Sequence, residues 1–174
     1  MTMNGIYGSW TITLPIDLLT WLATTELRMA LAGSRVVYGV LRFAHLTCLA
    51  GFLGLLLAFE LRALGVLGVS ALAEARTVLG RALGIGFWGT ILSGIALFLY
   101  DPLGTGLHSM FLLKLVLVAV GYTITRVRRW LPARPVAITS LLVWVLVIGA
   151  ATWNKVERPV QINAALKAAT IGRR

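Results

Sequence analysis

Two titratable residues inside apolar stretches are the residues of this sequence best suited to chemistry. His45 stands eight residues into the stretch 37–59, and Lys114 stands five residues into the stretch 109–125. A titratable side chain in lipid is costly, so each one needs a function or a partner. Neutral imidazole offers a nitrogen lone pair and titrates near neutrality, which suits a haem ligand or a proton carrier. The alternative for His45 is a structural histidine that is hydrogen-bonded between helices.

Helical spacing groups further polar residues with this histidine. Tyr38, Arg42 and Cys48 follow the same stripe as His45 at intervals of three and four residues. At about 1.5 Å per residue, His45 lies about 12 Å deep in its stretch and Lys114 about 7–8 Å deep in its own. The two side chains can therefore reach a similar depth. Lys114 either faces the interior of a bundle or extends its stem to the nearest interface.

Two more residues bear on a site around His45. Arg42 lies about 4.5 Å closer to the membrane surface than His45, where its guanidinium can pair with a carboxylate. His108 is the other histidine and precedes the stretch that carries Lys114. It is either a solvated or interfacial residue or a second ligand to a metal that His45 binds.

Long apolar blocks must position these residues. The chain has 174 residues, of which 59% are apolar and 13% are charged. Four blocks have near-spanning or spanning length for a hydrocarbon core of roughly 30 Å: 37–59, 83–100, 109–125 and 136–153. We therefore predict one all-α domain over residues 1–174, an integral membrane four-helix bundle. Three flanking parts complete it: an interfacial helix over 15–31, a short helix over 70–82 and a polar tail over 154–174.

The net charge of +10 indicates membrane topology rather than nucleic-acid binding. The sixteen Lys and Arg residues lie mostly between and beside the apolar blocks, without an aromatic-interleaved basic motif. Anionic lipid headgroups are the expected partners of these charges. Arginines gather after the first and third blocks, so those loops are predicted to be cytoplasmic and both termini periplasmic.

The second block carries small residues along one face: Ala82, Gly86, Gly89, Ser93 and Ala96. Close helix packing explains such a face, and a flat macrocycle or a quinone is the other use of the same space. Spacing typical of a metal cage, a hydrolase or a nucleotide site is absent from the sequence.

The order of features over residues 18–125 resembles a family of uncharacterised bacterial inner-membrane proteins. The resemblance rests on the segments S..VY..LR.AHL, FELRALG, SGIALF and FLLK. Within them it depends on these residues: Ser34, Tyr38, His45, Glu60, Leu61, Arg62, Gly65, Ser93, Gly94 and Lys114. Glu60 stands where the family more often has aspartate, and Ser93 where it more often has threonine. The resemblance implies a location in the bacterial inner membrane.

More distantly, the histidine of the first block and the lysine of the third are similar to those of HemJ-type protoporphyrinogen oxidases and CopD-type copper-resistance proteins. HemJ-type proteins bind haem b. By that resemblance His45 is the axial metal ligand and Lys114 lies near the haem or the substrate. The tryptophan-rich HemJ signature is replaced here by LTCLAGFLG, so the oxidase activity is not carried over.

Two function classes follow from these observations. In the first, a four-helix inner-membrane protein binds haem b through His45 and exchanges electrons with a quinone or a periplasmic partner. In the second, a cofactor-free accessory subunit packs against other membrane protein subunits through its small-residue faces, its segment 15–31 and its tail.

Overall fold

The computed structural model describes residues 14–32, 34–67, 76–127 and 132–171, and every regular element among them is an α-helix. The helices, in chain order, are α1 (Ile16–Ala23), α2 (Glu26–Ala32), α3 (Arg35–Ala63), α4 (Arg76–Tyr100), α5 (Pro102–Gly106), α6 (Ser109–Val127) and α7 (Ala133–Ile171). Four of them, α3, α4, α6 and α7, are long and apolar enough to cross a membrane. The predicted all-α fold with four spanning helices is confirmed.

The spanning helices extend beyond the predicted apolar blocks. Their apolar parts cover Arg35–Ala63, Thr77–Tyr100, Met110–Val127 and Ala133–Trp153. The predicted short helix over 70–82 is not separate from the second span, because residues 76–82 belong to α4, and residues 68–75 lie outside the described part. The backbone of the tail continues α7 as far as Ile171.

The segment 15–31 forms two helices rather than the single interfacial helix of the sequence analysis. The break lies at two threonines whose hydroxyls bond to the backbone of the preceding turn. Thr24 donates to the carbonyl of Trp21, and Thr25 donates to the carbonyl of Leu22. Thr25 Oγ1 also accepts the N–H of Arg28 in the first turn of α2. Such local bonds compete with helix continuation and favour a helix boundary.

The ends of α3 are defined by its flanking residues. Ser34 is the N-cap, and its hydroxyl accepts the N–H of Val37. At the other end, Gly65 has a φ of +81° and donates to the carbonyl of Arg62. The N–H of Val66 bonds to the carbonyl of Leu61, which completes a Schellman motif.

The bundle consists of two closely packed helix pairs. α3 packs mainly against α4, α6 packs mainly against α7, and α7 also packs against α3. The buried core between the pairs contains Phe52, Leu56, Trp144 and Val147. The ring of Phe52 meets that of Trp144 edge-on at 4.7 Å between centroids. One aromatic cluster therefore joins the two pairs.

Most of the exposed surface of the spanning helices is apolar. Large exposed residues occur on all four: Val36, Phe43, Ile85, Leu92, Val116, Leu142 and Val145, among others. A contiguous apolar exterior of this size indicates a lipid-facing surface, because water would penalise it heavily.

One end of the bundle, which we name the α5 end, is covered by the two N-terminal helices. α1 packs against α5, and the Leu19 side chain is fully buried there. A methyl group added at Gly106 would lie 3.1 Å or less from Leu19 and 3.3 Å from the ring of Phe98. The opposite end, which we name the arginine-rich end, carries the connections from α3 to α4 and from α6 to α7.

Candidate functional site

The site is built on the contact face between α3 and α4. Contacts along this face pair residues in antiparallel register: Tyr38 with Tyr100, His45 with Ser93, Cys48 with Gly89 and Phe52 with Gly86. As the residue number rises along α3, the number of the contacting residue on α4 falls. These pairs therefore show which residues of α3 and α4 lie at the same depth in the bundle. The sequence predicted the histidine and the small-residue row separately, and the fold brings them together.

Glycines allow the close approach of the two helices. A methyl group at Gly86 would lie 3.1 Å from the backbone nitrogen of Phe52, and one at Gly89 would lie 2.7 Å from Cys48 Sγ. Three members of the small-residue row, Gly86, Gly89 and Ser93, therefore contact α3. Ala82, at the start of the row, is exposed.

His45 is half-buried and bonded to the neighbouring helix. Its Nδ1 lies 3.0 Å from Ser93 Oγ. The Ser93 hydroxyl also bonds to the carbonyl of Gly89 within α4. With that hydroxyl donating to the carbonyl, Ser93 Oγ accepts from Nδ1–H when the imidazole carries its proton on Nδ1. In that tautomer a histidine can ligate a metal through Nε2 while a second group orients the ring.

Gly94 provides the space for this ring. A methyl group at Gly94 would lie 3.3 Å from His45 Cε1, which is tighter than ordinary van der Waals contact. Ser93 and Gly94 belong to the motifs that carry the family resemblance, but the sequence alone pairs neither of them with His45. An antiparallel alignment of the first two blocks would have suggested that pairing.

Lys114 lies at nearly the depth of His45. Two ring stacks join α4 to α6, Phe98 on Phe111 at 5.0 Å and Phe87 on Tyr122 at 5.2 Å. The two stacks are separated by eleven residues on α4 and by eleven residues on α6, and their order along the chain is reversed between the helices. α4 and α6 are therefore antiparallel, and equal steps along them cover equal depth. Ser93 lies about 7.5 Å further into the bundle than the Phe98–Phe111 stack, and Lys114 lies about 4.5 Å further in than that stack. Ser93 has the depth of His45, which it contacts.

The Lys114 side chain is half-buried and lies on the interior side of α6. It falls on the same helical stripe as Gly121, seven residues later. Gly121 packs against the indole of Trp144, because a methyl group there would lie 3.0 Å from its ring carbons. Of the two alternatives for Lys114, this position favours the bundle interior.

Arg42 and His108 lie nearer the α5 end than His45 does. Arg42 is exposed, about 4.5 Å along α3 from His45. His108 is buried in the connection before α6, where its carbonyl accepts the N–H of Phe111. The register places it about 12 Å from His45 along the bundle axis. His45 and His108 therefore lie at different depths in the bundle.

Other buried polar groups lie on α3 and α7, toward the arginine-rich end. Glu60 on α3 is 1% exposed. Ser140 Oγ and Trp144 Nε1 are also buried and have no hydrogen-bond partner among the described residues. The sequence analysis included Glu60 in the resemblance and did not identify the other two. Serine and tryptophan inside an apolar block give no periodic signal that separates them from lipid-facing residues.

These observations define the class of the protein, a multi-pass, all-α membrane protein with a histidine bonded between its first two spans. Compared with known proteins, the chain matches no family model, no curated protein and no solved structure. The resemblance to the inner-membrane family, and the more distant one to HemJ-type and CopD-type proteins, stays a prediction from the sequence motifs.

Proposed function

We propose that this protein binds a b-type haem through Nε2 of His45 and transfers electrons between that haem and a quinone or a partner at the membrane surface. The observation that carries the proposal is the 3.0 Å contact between His45 Nδ1 and Ser93 Oγ. In the tautomer with the proton on Nδ1, this bond orients the ring beside Gly94, and Nε2 is the nitrogen that would ligate the metal.

The residues around His45 suit the chemistry of a haem. Imidazole is a common axial ligand of haem iron, and a bound haem supplies one-electron redox chemistry. Two cations, Arg42 and Lys114, lie within about 5 Å of the depth of His45 along the bundle axis. Cationic side chains bind carboxylates through charge-assisted hydrogen bonds, so they suit the haem propionates. Arg42, the more exposed of the two, is assigned to a propionate near the membrane surface.

Each residue then has a distinct role. His45 holds the iron, Ser93 orients the imidazole and makes it a stronger donor, and Arg42 neutralises a carboxylate. Lys114 adds positive charge in the bundle interior, where a low dielectric constant strengthens its interaction with an anionic group. The phenyl stack of Phe98 on Phe111 lies between this region and the α5 end.

The proposal includes a location. The protein lies in the bacterial inner membrane, with the arginine-rich end in the cytoplasm and both termini in the periplasm. The support is the distribution of arginines in the sequence, which follows the positive-inside rule. The α5 end, nearer to His45 and Arg42, then faces the periplasm, where a partner can exchange electrons.

A second function is favoured by a different observation. The α3–α4 face is closely packed at Gly86 and Gly89, and the His45–Ser93 bond by itself satisfies two polar groups between helices. Both features suit a cofactor-free accessory subunit that packs against other membrane proteins. In that case His45 serves only to hold the two helices together.

An absorbance spectrum separates the two functions. The full-length protein would be produced with ample haem, purified in mild detergent and recorded in the oxidised and reduced states. We expect a Soret band in the wild-type protein, its loss in His45→Ala, and its retention in His108→Ala. Size-exclusion elution of each variant would show whether the bundle is intact. A wild-type protein without a Soret band, or an unchanged band in His45→Ala, would contradict the haem proposal and favour the accessory subunit.

A further inference from the structure

An apolar groove lies between the last turn of α6 and the first two turns of α7. It has a volume of about 250 Å³, and the described residues that line it are Ile124, Val127, Pro132, Pro135, Val136 and Thr139. The groove opens onto the outer surface of the bundle at the arginine-rich end. It is distinct from the region around His45, which lies toward the other end of the helices.

Among the described residues, the lining of the groove is almost entirely apolar. Five of the six described lining residues are hydrocarbon side chains or prolines. The sixth, Thr139, donates its hydroxyl to the carbonyl of Pro135 at 2.9 Å, so its polar group is already satisfied. The two prolines have no backbone N–H. A hydrocarbon chain is the occupant that such a surface accepts without leaving a polar group unpaired.

The position of the groove is that of a membrane–water boundary. The third span ends at Val127 and the fourth begins at Ala133, so the groove lies at the depth where acyl chains meet headgroups. In the first turn of α7, the N–H groups of Ala133 and Arg134 point toward this boundary and add partial positive charge there, whereas Pro135 has no N–H and the Val136 N–H donates to the carbonyl of Pro132.

The charge beside the groove selects the headgroup. Two described arginines flank it along the chain, Arg126 in the last turn of α6 and Arg134 in the first turn of α7, and both are exposed. Exposed arginines at this depth attract anionic lipid headgroups.

We propose that this groove and its arginines form a binding site for one anionic phospholipid. An acyl chain lies in the groove, and the phosphate lies beside Arg126 and Arg134. The site anchors the α6–α7 pair at the membrane surface. It depends on apolar contact and on charge together, so neither a zwitterionic lipid nor a free phosphate replaces its ligand.

Lipid retention in native mass spectrometry tests the site. The full-length protein would be equilibrated in nanodiscs of phosphatidylcholine with phosphatidylglycerol, released in detergent and scored for bound lipid. We expect one phosphatidylglycerol per protein to be retained in preference to phosphatidylcholine. The double variant R126Q/R134Q should lose on the order of thirtyfold of that preference, from about 1 kcal/mol per arginine. Arg35→Gln, an exposed arginine at the opposite end, is the matched control and should lose none.

The apolar half of the site has its own pair of variants. Thr139→Phe fills the groove and should abolish retention, whereas Ile138→Phe, at the exposed neighbouring position outside the groove, should preserve it. Thermal unfolding of each variant shows that the bundle is intact. Equal retention of the two lipids, equal retention in the two Phe variants, or displacement of the lipid by free glycerol phosphate at equimolar concentration would each overturn the proposal. The arginine variants decide the outcome if Thr139→Phe does not fold.

Discussion

Removing the Ser93 hydroxyl tests the proposed haem site without changing the iron ligand. Ser93→Ala deletes the acceptor of His45 Nδ1–H and leaves the imidazole able to rotate. Loss of such a supporting group typically costs 10- to 100-fold in metal affinity. That range corresponds to about 1.4–2.7 kcal/mol.

Two further variants separate orientation of the histidine from helix packing. Thr90 lies one turn from Ser93 on α4, and its hydroxyl donates to the carbonyl of Gly86 within the helix. Thr90→Val therefore removes a similar intrahelical bond and keeps the side-chain volume. It should bind haem as the wild type does. Ser93→Thr keeps the hydroxyl and should restore the affinity that Ser93→Ala loses.

The assay is a haem titration of the apo-protein in detergent, followed at the Soret band, with a redox titration of the loaded protein. Loss of the Ser93 acceptor makes the imidazole a weaker donor to ferric iron, so the midpoint potential should rise in Ser93→Ala. If Ser93→Ala and Thr90→Val change affinity and potential equally, the hydroxyl acts only in packing. Wild-type affinity and potential in Ser93→Ala would likewise refute the orienting role.

Three further predictions concern packing, backbone and topology. Gly86→Ala should destabilise the bundle by about 1–3 kcal/mol, because its methyl group would lie 3.1 Å from the Phe52 backbone. Gly51 has open space around it, so Gly51→Ala should be neutral or stabilising in thermal unfolding. Gly65→Ala should cost roughly 1–2 kcal/mol at a φ of +81°, and Gly65→Asn should cost less; equal melting temperatures for both variants and the wild type would contradict this. Reporter fusions after Arg129 and at the C-terminus should report cytoplasm and periplasm respectively, and the reverse result would invert the proposed orientation.

The spanning helices could be predicted from the sequence because lipid imposes a length and an apolar composition on every span. Those two properties are local, so no knowledge of packing is needed. The boundary at Thr24 and Thr25 was not predicted, since it depends on hydroxyl-to-carbonyl bonds that form only in one backbone conformation. The continuation of α7 through the polar tail was missed because the apolar block ends at Trp153 and the helix does not.

The partner of His45 could not be predicted from periodicity. A stripe on one helix shows which residues share a face, but not which residue of the next helix meets them. That pairing depends on the register between α3 and α4, which the contacts of Cys48 with Gly89 and of Phe52 with Gly86 set. The depth of Lys114 was better determined by the sequence, because distance from the start of a span is a local quantity.

The residues that carry the family resemblance fall into two groups once their structural roles are known. Ser34 caps α3, Gly65 takes the positive φ of its Schellman motif, and Gly94 gives the His45 ring its space. The fold alone accounts for these three, whether or not a cofactor is bound. Lys114 belongs to a second group, because a cation inside a span is costly in lipid and needs a partner or a function there. A lysine near the depth of His45 therefore bears more directly on the proposed site than the three residues that shape the backbone and the packing do.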